Sequence, residues 1–511
     1  MRTSLRSIFA LTALVPAILQ AQPGALDTSF GVNGLVTTVV VDDQRNDEPR
    51  AIQVQPDGRI VVAGYVLYPD FMSRPVLIRY LPDGTLDGSF GSGGIVHPTS
   101  GSSIQLNDLR VLPNGKLLVC GAISPTSSTQ QQDCYLARYH ADGTLDASFG
   151  NGGSVVETLS TGTDLIARIV VLPDGRYQAL ARSGSGAAGT SCLMMFTSSG
   201  TLDNSFSGDG KLFNLFAAAA PQGVADLAVR ADGSVLALGG GAGEVKVVAV
   251  QNNGALDSGF GSGGTAVVSA GTALHVRPGG SILVHGPLTT GGVFTLHSTR
   301  LLPSGTVDPA YGSGGTFSFS DAALTATSAP SKPLFYPDGR YMVGWRHRDP
   351  ITDEIDGAIT WFEANGGVAA VGTVLTDLGP QDNDQDEVTA LAMAPDGDIL
   401  AACSYIDDFR RLVVARYNGD LLTTGITPER QALPITAFPV PASTEVRLLL
   451  PDGVVISGVS LLDGAGQRVP APVSIHGGNA CVDVQQLASG IYIAEVMVEG
   501  RVHRHRVQVI R

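Results

Sequence analysis

The sequence predicts an all-β protein, a seven-bladed β-propeller of four-stranded antiparallel blades followed by a small C-terminal β-sandwich. Three observations support this prediction: two signatures recur along most of the chain, the segments between them have the character of short strands, and the composition changes after residue 425. With 64 glycines, 29 prolines, 43% hydrophobic and only 15% charged residues, the composition suits short apolar strands and turns better than long helices.

The first signature is a hairpin such as "VLPNGKLLVCGA" at 111–122, in which a Pro-Asp-Gly-like turn separates two apolar segments. Turn residues between apolar, β-branched runs are typical of β-hairpins. Seven copies occur, and their turn glycines lie 57, 60, 58, 47, 59 and 58 residues apart: Gly58, Gly115, Gly175, Gly233, Gly280, Gly339 and Gly397.

The second signature, "GTLDGSFGSGG" at 84–94, combines an aspartate, an aromatic residue and several glycines. A nearly constant period of this size indicates stacked supersecondary units. Five further close copies lie at 24–34, 143–153, 200–210, 254–264 and 305–315, and two decayed copies lie at 366–374 and 419–425.

Each unit can be interpreted as four short strands, A to D, which in the second unit are 94–98, 108–113, 116–122 and 134–140. Four antiparallel strands repeated seven times form a β-propeller. An open β-solenoid is the alternative, although its turns are usually much shorter than this period. In a propeller blade the B–C turns and D–A connections lie on one face, here named the motif face. The A–B and C–D loops lie on the other, the variable face.

The aspartate of the second signature is expected to close a turn by accepting hydrogen bonds from nearby amides, and the aromatic residue to fill the gap between blades. Calcium at each aspartate is the alternative, but Ca²⁺ takes about six to eight oxygen ligands and each copy offers one reliable carboxylate. We therefore predict no cofactor, with calcium at acidic loops left open. The residues are Asp27, Asp87, Asp146, Asp203, Asp257 and Asp308, with Phe30, Phe90, Phe149, Phe206, Phe260 and Tyr311.

The recurrent pattern G-[TA]-L-D-x-S-F-G-x-x-G resembles the delta-60 repeat family over about residues 25–425. That resemblance implies a propeller, here assigned to residues 22–426, and a kind of repeat common in bacterial surface proteins. It implies no catalytic residues.

Loops that differ between units gather on the variable face, where loop-borne recognition is expected. If the ring closes, units 6, 7 and 1 are consecutive, and their loops concentrate aromatic, basic and acidic side chains. We name this region sector 6-7-1 and predict that it binds a glycan or a protein; solvated loops without a ligand are the alternative. The predicted site residues are Tyr68, Phe71, Trp345, Arg346, Arg348, Tyr405, Asp407 and Phe409, with further carboxylates at Asp43, Asp47, Asp384, Asp386 and Asp408.

Other candidate chemistry is weaker. His275, His285 and His297 lie on strands B, C and D of unit 5, where a metal site or ordinary strand histidines are both open. Cys120 and Cys134 flank one hairpin, which leaves a disulfide and two unpaired buried thiols open. Neither an HExxH nor a GxSxG motif occurs, so no catalytic residue is predicted.

The N-terminal segment has two arginines, an apolar run from Ile8 to Leu19 and a small residue at Ala21, which predicts a secretory signal peptide over 1–21. No later apolar run approaches the length of a membrane span, so the mature chain is expected to have no transmembrane segment. Removing Arg2 and Arg6 changes the formal charge from −15 to −17. So acidic a protein repels nucleic acid, which we exclude as a partner.

Residues 427–434 form a predicted linker, and the alternating segments after it predict a small antiparallel sandwich over 435–511. The segments "FPVPAS" (438–443), "LLDGAGQR" (461–468) and "LASGIYIAEV" (487–496) resemble the type IX secretion C-terminal sorting domain. That resemblance implies the type IX secretion machinery as a partner, and secretion or attachment at the outer face of a Gram-negative outer membrane.

The sequence thus predicts an exported, non-catalytic platform for binding or adhesion. A secreted polysaccharide-degrading enzyme and a structural surface-layer component remain the alternatives.

Overall fold

The computed structural model divides into two compact units, Met1–Asp420 and Leu421–Arg511. Each is described by itself. The predicted signal peptide (1–21) and linker (427–434) lie outside the described residues. Those residues are 23–41, 46–97, 102–124, 131–184, 189–216, 223–241, 244–291, 293–324, 330–379, 385–419, 436–438, 444–449, 456–462, 468–476, 479–487, 490–498 and 501–509.

In the described residues, the first unit contains seven four-stranded antiparallel sheets, which confirms the predicted blades. Blade 1 consists of β2 (Asn46–Val54), β3 (Ile60–Leu67), β4 (Ser73–Tyr80) and β5 (Ile95–Val96). Blade 2 consists of β6 (Ser103–Val111), β7 (Leu117–Ser124), β8 (Asp133–Tyr139) and β9 (Ser154–Glu157). Blade 3 consists of β10 (Leu165–Val171), β11 (Tyr177–Ser183), β12 (Thr190–Phe196) and β13 (Lys211–Phe213).

Blade 4 consists of β14 (Gly223–Val229), β15 (Val235–Gly241), β16 (Glu244–Val250) and β17 (Thr265–Val268). Blade 5 consists of β18 (Ala273–Val276), β19 (Ile282–Thr290), β20 (Val293–Leu301) and β21 (Thr316–Phe319). Blade 6 consists of β22 (Leu334–Phe335), β23 (Tyr341–Arg348), β24 (Ile355–Phe362) and β25 (Val368–Thr376). Every blade therefore takes strands B, C and D from one repeat and strand A from the next.

Blade 7 shows how the ring closes. Its first three strands are β26 (Glu387–Met393), β27 (Ile399–Ile406) and β28 (Arg410–Tyr417), and its fourth is β1 (Leu35–Thr38) from the opposite end of the unit. β1 pairs antiparallel with β28, with Leu35 opposite Ala415 and Thr38 opposite Leu412. Because no blade is left with an unpaired face, units 6, 7 and 1 are consecutive.

Among the side chains that the structure describes, the core consists of seven apolar clusters, one between each pair of neighbouring blades. Phe90, for example, packs with Leu77 of blade 1 and Leu106 of blade 2 and is fully buried. This confirms the predicted role of the motif aromatic residues. Six clusters contain one each: Phe30, Phe90, Phe149, Phe206, Phe260 and Tyr311.

The cluster between blades 6 and 7 is the exception, because the motif copy that should supply its aromatic residue has decayed. Trp361 of β24 lies there instead, buried among residues such as Ile399 and Val371. Trp361 occupies the strand D position at which Arg79, Arg138 and Arg300 stand in other blades. A large side chain from a different strand therefore compensates for the missing aromatic residue.

The first strands of neighbouring blades contact one another, so they lie around the axis of the ring. Asp226 of β14 is buried there and connects several blades: its Oδ1 accepts from Lys332 Nζ (2.8 Å) and its Oδ2 from the amide of Leu274 (2.8 Å). Burial alone would raise the pKa of Asp226, but the charges of Lys332 and Arg168 outweigh it and lower the pKa. The ionised Asp226 carboxylate therefore connects blades 4, 5 and 6 near the axis of the ring.

Where the second unit is described, two four-stranded antiparallel sheets share one apolar core, as expected for a sandwich. Val482 and Val496 belong to opposite sheets and are both buried in that core. The first sheet has β29 (Thr436–Phe438), β30 (Glu445–Leu449), β34 (Asn479–Asp483) and β33 (Val473–His476), in that order. The second has β32 (Arg468–Val469), β31 (Ile456–Leu462), β35 (Gly490–Val498) and β36 (Arg501–Val509).

Among the residues that the structure describes, no helix is long and apolar enough to cross a membrane.

We expect Phe90→Ala to lower the free energy of unfolding by about 3–5 kcal/mol, because it removes a fully buried aromatic ring between two blades. Leu86→Ala, at an exposed position of the same motif, is the matched control and should change stability by about 0.5 kcal/mol or less. Denaturant unfolding measures both. Equal effects of the two substitutions would contradict the assigned packing role.

Candidate functional site

The aspartate of the opening motif holds separate parts of its blade together, as Asp87 illustrates. Its Oδ1 accepts hydrogen bonds from the amide (3.0 Å) and hydroxyl (2.6 Å) of Ser89, which closes the turn as predicted. Its Oδ2 accepts from Nε of Arg79 and from Nε of Arg59, each at 2.8 Å. One carboxylate thus joins the turn to strand D and to the B–C hairpin.

Arg79 also reaches the next blade. Its Nη1 donates to the carbonyl oxygen of Ala141 in blade 2, and its guanidinium lies 4.6 Å from the ring centroid of Phe90. A charged fork of this kind can bind several acceptors at once because its donors lie in one plane. The motif therefore connects neighbouring blades through polar as well as apolar contacts.

This arrangement recurs in every close copy of the motif, since each aspartate accepts the amide two residues on. Sequence reasoning missed the cations, although the constant spacing of eight residues from Arg79 to Asp87, Arg138 to Asp146 and Arg300 to Asp308 was a visible signal. The cationic partners of the six aspartates in chain order are Arg416, Arg79 with Arg59, Arg138 with Lys116, Arg176, Arg230 and Arg300.

The electrostatics agree with a structural role. Burial would raise the pKa of Asp87, but hydrogen bonds from Ser89 and Arg59 and the charge of Arg79 lower it to about 2. The pKa of Asp146 is also lowered, by Lys116, Ser148 and Arg138 acting against burial. In the part of the chain that is described, no group of three His, Cys, Asp or Glu side chains could hold a metal. Calcium at the acidic loops stays an untested expectation.

Ring closure brings the predicted sector 6-7-1 onto neighbouring blades. Arg410 of blade 7 donates its amide to Asn46 Oδ1 (2.8 Å) and pairs with Glu48 of blade 1 (3.1 Å). Arg346 of blade 6 donates from Nη2 to Gln385 Oε1 at 3.1 Å, just before blade 7. Polar contacts therefore link all three blades on the variable face.

The structure corrects the expectation for two predicted site residues. Trp345 is 0% exposed, packs between blades 5 and 6, and donates from Nε1 to Thr360 Oγ1 at 2.9 Å. Tyr405 is 8% exposed and packs between blades 6 and 7. Alternation along β23 and β27 turns these rings toward the neighbouring blades, so neither is offered at the surface.

The carboxylates added to the sector also differ in placement. Asp47 and Asp386 are buried, and Asp386 Oδ2 accepts the amide of Leu378 at 2.7 Å. Asp43 and Asp384 lie outside the described residues. Asp408 alone of this additional group is exposed within the described chain.

Tyr68 is half-buried and belongs to a small cluster beneath the C–D hairpin of blade 1. Its hydroxyl lies 2.8 Å from His97 Nε2, and the Arg74 guanidinium lies 3.8 Å from its ring centroid. The burial of His97 lowers its pKa, which favours the neutral imidazole as the partner of this hydroxyl. Tyr68 thus stabilises the hairpin, and little of its ring is accessible to a ligand.

The remaining polar site residues are at or near the surface. Arg348 is exposed and forms a two-point pair with Asp353 at 2.6 and 2.8 Å. Asp407 is exposed and accepts the amide of Phe409 at 2.8 Å, while the half-buried ring of Phe409 lies 5.7 Å from the Arg411 guanidinium. These contacts order the hairpin tips of blades 6 and 7.

Phe71 is the most unusual residue of the sector. The segment Tyr68-Pro69-Asp70-Phe71-Met72 forms the same turn as Gln55-Pro56-Asp57-Gly58-Arg59, with equivalent backbone hydrogen bonds and the same aspartate cap. Phe71 stands where the other turn has glycine and adopts a φ of 60°, while its side chain is 76% exposed. A bulky residue in the left-handed region is unfavourable, and here burial does not compensate.

Ile351 is an apolar tip residue that sequence reasoning missed. It is 90% exposed in the C–D loop of blade 6, and the amides of Ile351 and Thr352 both bind Asp349 Oδ1. A single aliphatic residue inside the polar segment "RDPITDE" was the available signal. Blades 6, 7 and 1 therefore each carry a large apolar side chain at or near the tip, namely Ile351, Phe409 and Phe71.

The histidines of blade 5 do not converge on one point. The register places His275 and His285 on the same side of the sheet, but the His275 ring stacks on Phe335 at 3.8 Å, and His285 is buried beside Tyr341. Burial, with the His297 charge second, lowers the pKa of His285 to about 3. Ordinary strand histidines are therefore the reading that the described residues support.

Cys120 and Cys134 are free thiols, both buried between blades 2 and 3. Burial raises the pKa of each thiol, which suppresses the thiolate form.

The model of one family, described as "Domain of unknown function (DUF5122) beta-propeller", matches residues 55–90 and 112–149. Both matched segments run from a B–C turn to the aromatic residue of the opening motif. Together with the seven sheets, this match shows a β-propeller repeat protein. No curated protein matches the chain in sequence.

Solved structures with a similar arrangement include polysaccharide lyase Uly1, at 9% identity and a TM-score of 0.43, covering 79% of this chain and 94% of that one. A protein from Lactobacillus plantarum has 14% identity and a TM-score of 0.39, covering 69% and 92%. An endo-arabinase from Bacteroides thetaiotaomicron has 9% identity and a TM-score of 0.27, covering 75% and 99%. Similarity this distant carries no argument about activity.

We expect Asp87→Asn to lower the free energy of unfolding by about 2 kcal/mol at neutral pH, because charge-assisted hydrogen bonds from Arg79 and Arg59 are lost. Since the pKa of Asp87 is lowered to about 2 on folding, its stabilising effect is present above about pH 4 and is lost as the pH falls toward 2. The difference between wild type and variant should therefore shrink over that range.

Denaturant unfolding at a series of pH values measures this difference. Asp408→Asn is the control, because Asp408 is exposed, and it should change the free energy of unfolding very little. A difference that does not vary with pH would contradict the assigned ionic role of Asp87.

Proposed function

We propose that this protein is an exported binding platform whose variable face engages a partner through sector 6-7-1. The observation that carries the proposal is Phe71, which combines an unfavourable backbone conformation with a solvent-exposed ring. Stability alone would favour glycine at this position, as in the equivalent B–C turn at Gly58. Strain that reduces stability and persists at a surface site supports a functional reason for the residue.

The surface chemistry favours a protein partner over a glycan. Large exposed apolar side chains at Phe71 and Ile351 suit the apolar centre of a protein interface, and the Arg348–Asp353 pair suits its polar rim. Trp345, the side chain best suited to stacking on a sugar ring, is buried. A glycan remains the second candidate, since Phe71 and Phe409 could stack on a sugar ring.

Export is proposed on the N-terminal and C-terminal sequence patterns together. The segment 1–21 has the features of a signal peptide, and 435–511 resembles a type IX sorting domain. We infer that the chain uses the type IX machinery and reaches the outer face of a Gram-negative outer membrane, where it is attached or released.

Phe71→Gly should stabilise the chain by about 1 kcal/mol, because glycine adopts positive φ freely and the exposed ring contributes little packing. The same substitution should weaken partner binding by about tenfold or more, as expected for an aromatic anchor. Thermal unfolding and binding measurements on the full chain test the two effects separately. Val293→Ala is the control, because Val293 is exposed on the C–D hairpin of blade 5, outside the sector. Increased stability with unchanged binding would show that the strain has no role in recognition.

The partner class can be tested by photo-crosslinking. With benzoyl-phenylalanine at position 71, we expect a discrete protein adduct from the cell surface or medium that is absent when the same group stands at position 293. Binding on a glycan array that Phe71→Gly abolishes would favour the glycan, and turnover of a polysaccharide would favour an enzyme. If neither a protein adduct nor binding on the glycan array is detected, a structural surface component is favoured.

Deleting 435–511 should prevent surface delivery in a host with type IX machinery and leave the chain in the periplasm, since the proposed sorting signal is lost. Deleting 2–21 should leave the chain in the cytoplasm, which provides the matched control for the first export step. Cell fractionation with protease accessibility measures both outcomes. Surface delivery of the tailless chain would contradict the proposed route.

A further inference from the structure

The motif face contains a pocket at the mouth of the central channel that the repeat pattern does not predict. It has a volume of about 740 Å³ and is lined by the B–C turns of blades 4, 5 and 6. That size is within the usual range of about 300–1,000 Å³ for small-molecule sites. The pocket lies on the face opposite sector 6-7-1, so a ligand here would be independent of the partner proposed above.

The pocket differs in extent from another one that lies between B–C turns. It spans the turns of three blades, 4, 5 and 6, whereas a pocket of about 570 Å³ at the turns of blades 2 and 3 spans two.

The side chains at this mouth also depart from the repeat. Two residues before the turn aspartate, or its equivalent, blades 1, 2, 3 and 7 have glutamine, leucine, leucine and alanine. Blades 4, 5 and 6 have Arg230, Arg277 and Tyr336 at that position, and all three line the pocket. Chemically distinctive residues therefore converge from three blades on one cavity.

One wall is aromatic. The His275 ring lies nearly parallel to Phe335, at 3.8 Å between centroids and an interplanar angle of 7°, and both rings line the pocket with Tyr336. Burial, with the charges of Lys332 and Arg277 second, lowers the pKa of His275 to about 4, so the ring is neutral near neutral pH. A ligand with a flat apolar face can stack on such a wall.

Arg277 is the cation of this pocket for which the blade provides no acid. In blade 4 Arg230 pairs with the motif aspartate Asp257 at 2.7 Å, but in blade 5 the motif aspartate Asp308 is taken by Arg300, also at 2.7 Å. The turn acid is missing as well, because Gly279 stands where five other turns have aspartate and blade 2 has Asn114. Blade 5 therefore supplies no carboxylate to Arg277, and the acid whose charge acts on it, Asp338 of blade 6, pairs with Arg340 at 2.9 Å.

The hydrogen bonds of the Arg277 guanidinium are also incomplete. Its Nη2 makes one long hydrogen bond, 3.5 Å, to the carbonyl oxygen of Gly339, and its buried Nε has no hydrogen-bond partner. Among the described residues it forms no ion pair. A guanidinium is the donor group best suited to binding a carboxylate at two points, and an unsatisfied buried donor is costly.

We propose that the channel-mouth pocket binds a small carboxylate attached to a ring, with the carboxylate on Arg277 and the ring against the His275–Phe335 wall. This chemistry occurs in the uronic acid residues of acidic glycans and in aromatic carboxylates. The formal charge of the whole chain is −15, so an arginine without an ion pair inside this pocket provides selectivity for a carboxylate that the acidic surface cannot.

Isothermal titration of the full chain tests the proposal with three probes: an oligogalacturonide, the matched neutral oligosaccharide and benzoate. We expect at least one acidic probe to bind at or below about 1 mM and the neutral sugar not to bind. Binding of the oligogalacturonide indicates an acidic glycan, and binding of benzoate alone indicates an aromatic carboxylate. Equal binding of the neutral sugar, or no binding of either acid, overturns the proposal.

Two variants test the site. Arg277→Ala should weaken binding about tenfold or more, because it removes the two-point donor. Gly279→Asp should weaken it comparably while keeping Arg277, because it restores the turn acid found in other blades. Arg59→Ala is the matched control: it removes one positive charge from the motif face outside the pocket, from a side chain already paired with Asp57 and Asp87.

Thermal unfolding confirms that each variant is folded before binding is compared. Unchanged binding in folded Arg277→Ala, or an equal loss in Arg59→Ala, would show that the pocket does not recognise the carboxylate through Arg277. The partner measurements at Phe71 are independent of these outcomes, because the two sites lie on opposite faces.

Discussion

Closure of the ring is the constraint on which the rest of the propeller depends. Every blade buries both of its sides against neighbours, so an open ring would leave two apolar blade faces in water at a cost proportional to their area. The pairing of β1 with β28 prevents this, because a strand from the beginning of the chain completes the last blade. The same pairing places blades 6, 7 and 1 side by side, and with them the hairpins that carry Ile351, Phe409 and Phe71.

Within this ring, uniform and variable positions have different tasks. The motif aspartates and aromatic residues recur because each blade boundary needs the same polar link and the same apolar filler. Where one part is lost, another substitutes: Trp361 fills the boundary without a motif aromatic residue, and Arg230 pairs with Asp257 where strand D has alanine at position 249. The same kinds of interaction therefore recur at each blade boundary even where the residues that make them differ.

The two proposed sites are places where compensation is missing. Phe71 occupies a left-handed position without burial, and Arg277 occupies a turn without an acid. Phe71 stands where the B–C turn of the same blade has glycine, and Arg277 stands in a turn whose acid is missing. Because the same ring contains a more stable solution for each turn, these departures are the basis on which we propose binding. The motif of 84–94, with its glycines and aspartate, is by contrast a structural connector.

The sequence by itself determined the architecture of the propeller, since a period that sets one blade per repeat and a turn glycine in every hairpin admit few other folds. It also determined the packing of the motif aromatic residues and the turn-closing role of Asp87. It could not determine which way Trp345 and Tyr405 face, because that depends on the register between strands. It missed the cations on the motif aspartates, although three of them lie at a constant spacing of eight residues, and it missed the pocket at Arg277, which forms only where turns of three blades meet. Whether Arg277 has an acidic partner is decided only in the tertiary structure, because Arg300 takes Asp308 and the acid that acts on Arg277, Asp338, pairs with Arg340.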